Sequence, residues 1–496
     1  MDAPSEKDIS VSKHYQQNVD FLNKILSVPD NFDVILREMI IGGKRVAIYS
    51  INGMVDNQVA SYVLQALVDI ERPSLIVNTL DSLVKERIVD LQVTEVAKMD
   101  KVLYFILSGP MAIFVEGQTK AIIIDVRTYP GRMPQEPDIE RVTRGSRDGF
   151  TETLIFNTAL IRRRLRDPRL RMKLLQVGSR SKTDVCIVYI DDITNLGMVK
   201  EIEEDIQAIK IDGIPMAEKS VEEFILGSKY WNPYPRVRYT ERPDVAAIHL
   251  LEGHVVVIVD TSPSVIIAPA TFWHHVQHAE EYRQEPVVGT YLRWVRFLGI
   301  WISIFLMPLW LAAATNPDVL PAVFDFVKVE EPGKLSLFVQ VLLAEISIDL
   351  VRMAAIHTPS PLATALGLIA VFMIGDFAIR VGLFTPDVVV YISFVAVGVF
   401  ATPSYEFAQA NRLARLFLVI LVGFFNFLGF LIGSMLLFIL LLRTKSFGVP
   451  YLWPLIPLDI KALATIIVRN PVPIKNKRPS ILKPQDRIRQ PEGRQE

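Results

Sequence analysis

The sequence predicts an α/β two-subdomain N-terminal soluble region followed by an α-helical polytopic membrane domain, and three observations carry that prediction. Charged residues recur every few positions up to about Arg296, whereas Phe297 to Ala314 and Leu416 to Leu442 contain none. Both charge-free runs are long enough to cross ~30 Å of hydrocarbon as helices. Half of the 496 residues are hydrophobic and the mean hydropathy is +0.31, yet 22% are charged, which is the balance of a soluble part joined to a membrane part.

The elements follow in order. The polar start MDAPSEKDISVSKHYQQ has no apolar core, so no secretory signal peptide is expected. Residues 32 to 69 read as a strand, a tight turn at Gly42 and Gly43, a second strand and a helix. KVLYFILSGPMAIFVEGQTKAIIIDV adds a strand pair hinged at Glu116 and Gly117, and residues 1–130 form the first α/β subdomain. RTYPGRMPQEPDIERVTR has three prolines, abundant charge and no apolar periodicity, so it reads as an extended linker. SRDGFTETLIFNTALIRRRLRDPRLRMKLLQVG resumes a helical pattern, which makes 131–180 a linker followed by an arginine-rich helix. From VCIVYID to HVVVIVD, strand-like and helix-like segments alternate, giving a second α/β subdomain over 181–290. The single cysteine, Cys186, excludes an intrachain disulfide and a cysteine metal cluster, and reads as a small buried hydrophobe in a strand.

The membrane domain spans 291–445 with four to five apolar segments: 297 to 314, 337 to 356, 361 to 382, 388 to 403 and a long last span, 413 to 442. Arg283, Arg293 and Arg296 precede the first span and place the large domain inside. After Leu442 the chain carries eleven Lys or Arg against four acidic residues, which places the C-terminus inside as well. The loop between, with Asp318, Asp325, Glu330 and Glu331 against Lys328 and Lys334, suits the outer side. Two inside ends require an even number of crossings, so the best count is four, with 337 to 356 or 388 to 403 lying in the interface or re-entering. The basic, proline-rich segment 446–496 reads as a largely disordered tail near anionic lipid.

Charges inside the apolar half are the candidate wet or pore residues. LLAEISIDLVRM places Glu345, Asp349 and Arg352 on one helical face, at about 2.5–3.5 kcal/mol each on insertion scales if they met lipid. Arg352 can pair with Asp349 one turn away, which leaves Glu345 needing a cation, a proton or a base from elsewhere. The plainer alternative is an amphipathic interfacial helix. Asp376 and Arg380, four apart, make a second intrahelical pair. In the last span Asn426 stands near Gly429 and Gly433, whose spacing permits close helix packing.

Outside the membrane, the arginine cluster has no interleaved aromatics and has acids nearby, so it favours ion pairing over nucleic acid. Arg144, Arg147, Asp148, Arg162, Arg163 and Arg164 are therefore candidate subunit contacts. His274, His275 and His278 in WHHVQH lack a carboxylate in the metalloprotease register and read as a polar membrane-proximal helix. IIGGKRV lacks the glycine spacing of a phosphate loop, and no GxGxxG or GxSxG occurs. No catalytic chemistry, metal or cofactor is expected.

Ordered blocks carry a resemblance. SGPMAIFVEG, RTYPGRMPQEPDIERVTRGSRDGFTETLIFNTALIRRR, RPDVAAIHLLEG, IGDFAIRVGL and GVPYLWPLIP resemble the hallmark blocks of the GerA family of bacterial spore germination proteins, A-subunit type, from Asp33 to Pro457. The resemblance implies an inner spore membrane protein whose N-terminal domain and C-terminal tail lie on the cytoplasmic, spore-core side. It implies an oligomeric channel, made with further copies of itself, that releases monovalent cations during germination. A small membrane partner and other germination proteins are implied as well. Ser146 stands where nutrient-receptor A subunits typically show proline, a departure that points away from ligand sensing. A nutrient-receptor A subunit and a non-conducting scaffold that clusters receptors are the alternatives.

Overall fold

The computed structural model describes residues 9–68, 93–128, 144–227, 231–317, 321, 323, 327–329, 333–357, 377–474 and 476–490, with only the backbone of 354–357. Asp376, Asp318, Asp325, Glu330, Glu331 and most of the linker after Arg127 lie outside the described residues. The chain divides into two units: Met1–Ser228 with Tyr239–Pro269 and Pro473–Glu496, and Lys229–Arg238 with Ala270–Val472.

The first unit holds two five-stranded sheets. Helix α1 (Tyr15–Leu26) precedes β1 (Val34–Ile41) and β2 (Lys44–Ile51), then come α2 (Asn57–Val68), β3 (Val93–Val96), α3 (Met99–Ser108), β4 (Met111–Val115) and β5 (Ala121–Ile124). Gly42 and Gly43 both take positive φ, the backbone that a two-residue hairpin between right-twisted strands requires. Helix α4 (Leu154–Arg164) leads to β6 (Leu170–Val177), β7 (Thr183–Ile190), α5 (Leu196–Gln207), α6 (Ala217–Leu226), β8 (Arg238–Thr240), α7 (Pro243–Glu252), β9 (Val255–Val259) and β10 (Val265–Ala268).

The two sheets have the same order, β1-β2-β4-β5-β3 and β6-β7-β9-β10-β8, so one topology is used twice. The pairs β1·β2, β2·β4, β4·β5 and β3·β5 are antiparallel, as are β6·β7, β7·β9 and β9·β10. The repeat extends to a detail of backbone: α3 and α7 end on Gly109 and Gly253, at φ 108° and 102°, two residues before a central strand. Cys186 is fully buried in β7, where burial pushes its thiol up and leaves it unreactive.

One segment differs from its sequence reading. RLRMKLLQV, expected with the arginine-rich helix, is strand β6 from Leu170 onward, because Leu170 and Met172 are buried and alternate with Arg171 and Lys173.

Arg162 joins the two halves of this unit. Its Nε and Nη2 donate to Asp33 Oδ2 and Oδ1 at 2.6 and 3.0 Å, and its remaining donors reach the carbonyls of Asp167 (2.9 Å) and Leu170 (3.1 Å). Beside it Asn31 Oδ1 accepts from Met172 N at 2.8 Å, and Asn31 Nδ2 donates to Leu26 O and Leu170 O. Arg162 is wholly buried, which corrects its assignment as a subunit contact: its guanidinium is consumed within the chain.

The C-terminal segment also departs from the expectation of a largely disordered tail. Gln485 N donates to Ile193 O at 2.9 Å, Gln485 Nε2 donates to the carbonyls of Asp191 and Thr194, and Arg478 Nε donates to Leu251 O. Charge and proline content describe solvation, and they miss this pairing with backbone carbonyls.

The second unit is helical. It contains α8 (Pro286–Ala314), α9 (Leu337–His357), α10 (Pro386–Phe400), α11 (Tyr405–Arg443) and α12 (Ile460–Ile467). Among the described residues, α8 and α11 are the two helices long and apolar enough to cross a membrane. Helix α8 carries a π-helical stretch at Ile302–Leu306. Helix α11 is not the single span read from its hydropathy. Asn426 takes φ 51° and ψ −137°, and the chain reverses there. A Cβ at Gly429 would lie 2.1 Å from Leu421 O, and one at Gly433 would lie 2.7 Å from the Leu418 side chain. In a straight helix residues 418 and 433 would be ~22 Å apart. Helix α11 is therefore a hairpin of two antiparallel arms, about 31 and 25 Å long at 1.5 Å per residue. Hydropathy registers apolar length alone, so a one-residue reversal is invisible to it.

Two outcomes follow. Replacing Arg162 by Met leaves Asp33 buried without its partner and costs about 3–5 kcal/mol, read as a drop in the unfolding midpoint of the purified chain. A Leu418→Cys, Gly433→Cys double variant forms an intrachain disulfide on mild oxidation, detected by mobility with and without reductant. Failure of that link in a folded protein would refute the hairpin.

Candidate functional site

The charged stripe of α9 meets a second stripe on α11. Arg415 donates from Nε to Glu345 Oε1 at 2.6 Å and from Nη2 to Glu345 Oε2 at 2.7 Å, a bidentate pair. Its Nη1 donates to the carbonyl of Ser303 at 2.5 Å, inside the π-helical stretch of α8. Arg412, one turn earlier, pairs with Asp349. Phe338 meets the hairpin tip, with its ring 6.0 Å from that of Phe424, so α9 runs antiparallel to the first arm. The spacing matches: four residues up α9 correspond to three residues down α11.

Glu345 and Arg415 are 4% and 2% exposed. Two charges taken this far from water are tolerable only when each satisfies the other and the leftover donors find acceptors. Three elements are tied by one guanidinium: α9 by its carboxylate, α8 by its carbonyl, and α11 by its own backbone. Close packing makes room for this. Gly398 of α10 lies against α8, where a Cβ would sit 2.5 Å from Gly299 O and 3.1 Å from Ser303 N.

The structure redistributes the predicted pairs. Asp349 goes to Arg412 and not to Arg352, whose guanidinium lies 6.0 Å from the centre of the Phe400 ring. Glu345 finds its base within the chain. Arg380 lies on the short turn Ala378–Arg380, 6.0 Å from the Phe377 ring centre, while its expected partner Asp376 is outside the described residues. Asn426 is the hairpin turn, and Gly429 and Gly433 are the close contacts between its arms. Arg412 and Arg415 carry a weak signal in sequence because they sit at the edge of the charge-free run that starts at Leu416. The signal was in QANRLARLF, where two arginines three apart complement carboxylates four apart.

In the first unit, Arg164 Nη2 donates to both oxygens of Asp148 (2.6 and 2.5 Å) and to Ser146 Oγ (2.8 Å). The Ser146 hydroxyl bonds Asp148 in turn, so the serine at the departing position completes a local cluster. Burial would raise the Asp148 carboxyl, but the bonds from Arg164 and Ser146 outweigh it and hold the group below the usual range. Asp167 behaves alike, with Arg169 offsetting its burial. Arg147, Arg163 and Arg164 line a cleft of about 1420 Å³ with Asp148, whereas Arg144 is exposed away from it. His275 is buried and stacks on Phe407 with centroids 5.8 Å apart, and burial lowers its pKa to about 3, so the ring stays neutral. His274 Nδ1 accepts from Thr271 N, and His278 Nδ1 from Glu280 N, which makes both rings helix caps.

The family model for Bacillus/Clostridium GerA spore germination protein matches residues 20–481. The chain belongs to the GerA family. It is 48% identical to stage V sporulation protein AF of Bacillus subtilis (strain 168) over 98% of both chains. It is 30% identical to spore germination protein KA of the same organism, covering 98% of this chain and 90% of that one. The crystal structure of the N-terminal domain of the A subunit of the Bacillus megaterium spore germinant receptor GerK3 is 30% identical, covering 53% of this chain and 98% of that domain at a TM-score of 0.42. The Glu345–Arg415 and Asp349–Arg412 pairs thus belong to the helical unit of a GerA-family spore germination protein.

Because the pair is buried, removing one partner costs more than removing both. Glu345→Leu and Arg415→Met each lower the unfolding midpoint of the detergent-purified protein by an amount equivalent to about 3–5 kcal/mol. The double variant recovers a measurable part of that loss, and a double-mutant cycle reads the coupling. Strict additivity would show that the pair does not act as one unit.

Proposed function

We propose that this GerA-family chain is a subunit of an oligomeric, monovalent-cation-permeable channel of the inner spore membrane that acts during germination. The observation that carries the reading is the charged seam: Glu345, Asp349, Arg352, Arg412 and Arg415 lie on two long, predominantly apolar helices. Ionisable residues in such helices are expensive, and in membrane proteins they accompany ion pathways and their moving parts. The seam has three cations against two anions among the described residues, so it offers a permeant cation no favourable site. Its role is to hold α9 against the hairpin. The interior beside it is filled, with Trp310, Leu311, Val341, Val388 and Val419 buried together, which supports a pathway between copies of the chain over one through a single copy.

Topology supports the reading. Residues 476–490 belong to the first unit, which supports an even number of helical passes. The hairpin supplies two passes where hydropathy counted one, so the even number no longer requires setting aside 337 to 356 or 388 to 403. Both soluble ends then lie on the spore-core side. A small membrane partner and other germination proteins remain the proposed associates, with stage V sporulation protein AF as the model relative.

The test is reconstitution. Purified protein in vesicles with a potassium gradient releases the ion as an oligomer, and Glu345→Gln or Arg415→Gln changes that release about tenfold while the protein stays folded. A monomer without conductance ends the channel reading. Unchanged flux in both variants, with loss of receptor clustering in spores, favours the scaffold.

A further inference from the structure

Two apolar surfaces of the helical unit are covered by none of its own packing. The chain after β-bridged Val449–Pro450 reads YLWPLIPLDIKALATII and ends in α12. Asp459 caps this helix, accepting from Ala462 N at 3.0 Å. Eight residues are too short to cross a bilayer. Ile466 is enclosed, but Leu455, Leu458, Ile460 and Val468 are 41, 63, 71 and 47% exposed. The first turns of α8 expose Tyr291 and Trp294 at 66 and 57%.

A buried charge hub fixes α12 to α8. Glu281 is fully buried; it accepts from Arg293 Nε at 2.7 Å and also meets Arg296. Arg293 Nη1 donates to the carbonyls of Thr465 and Ile466 at 3.1 and 2.6 Å, two of the last acceptors of α12. Trp294 Nε1 donates to Ile467 O at 3.2 Å. Arg469 N donates to Thr290 Oγ1, and its Nη2 donates to Tyr282 O, which closes the attachment. The short helix is held at one fixed height beside the entry of α8.

We infer that α12 and the turn before it form an interfacial anchor, lying in the headgroup layer of the bilayer that α8 crosses. The inference rests on the membrane reading above. The occupant is lipid because the exposed apolar side chains are continuous with the start of an apolar, membrane-length helix. Tyr291 and Trp294 stand at that level, where amphipathic rings collect. Exposed Lys461 beside Ile460 supplies the cation that an anionic headgroup layer attracts. Anchoring α12 sets the depth of α8, and through the Glu281 hub it couples surface lipid to the helix that carries Ser303.

Site-directed spin labelling of the full chain tests this. Leu458→Cys and Ile460→Cys are labelled separately in vesicles of phosphatidylcholine and phosphatidylglycerol, with buried Cys186 unlabelled. Met435→Cys on the hairpin and Arg180→Cys in the first unit serve as references, being 56% exposed for Met435 and 84% for the Arg180 side chain. The expected result is collision with oxygen several-fold above collision with a water-soluble nickel chelate at 458 and 460, between the values at 435 and 180, without spin–spin broadening. Nickel access equal to that at 180, with 435 still favouring oxygen, overturns the anchor and leaves the membrane reading standing. Spin–spin broadening at 458 or 460 overturns it in favour of a second copy of the chain. Nickel access at 435 as well overturns the anchor together with the membrane reading.

Discussion

A guanidinium cannot give up its charge to escape burial, so a buried arginine must be met on every side that would otherwise face water. This protein meets that constraint repeatedly, and three cases tie its elements together. Arg162, Arg293 and Arg415 are 0, 1 and 2% exposed, and each pairs with one carboxylate and also donates to at least one backbone carbonyl. In each case the carboxylate and the carbonyls come from different segments of chain. The residue type that composition assigns to the surface thus works here as the internal fastener.

The division of labour explains which parts were legible in the sequence. Alternating apolar residues and the Gly42-Gly43 turn gave the first hairpin directly, because strand period and positive φ are local properties. The paired apolar and charged halves gave the two-part architecture. The arginines were misread because burial is not local: RRRLRD has the composition of a solvated cluster, and only the return of Asp33 from 129 residues away makes Arg162 a core residue. The candidate site was half legible. Glu345 and Asp349 stood out as charges in an apolar field, whereas Arg412 and Arg415 sat at the edge of theirs, where a charge attracts no notice. Asn426 had no signal beyond tolerance of positive φ.

Use of one sheet topology twice gives the first unit a simple logic. Each sheet buries an apolar central pair, β4·β5 or β9·β10, and each of those pairs follows a helix closed by a positive-φ glycine. The join between repeats is then the one part without an internal template. That is where Asp33, Asn31 and Arg162 concentrate their polar contacts, and where α4 passes from one sheet to the next.

The docked C-terminal segment has a consequence for how the protein is made. Gln485 and Arg478 fill carbonyls at Ile193 and Thr194 in the loop after β7 and at Leu251 in the last turn of α7, yet they are synthesised more than two hundred residues later. In the interval the ribosome delivers every helix of the second unit. The first unit therefore leaves the ribosome with open acceptors that close only after translation has passed through the last helix. Completion of the soluble fold is a record that the helical segment between has been made in full, and a truncated product carries the defect in its soluble part.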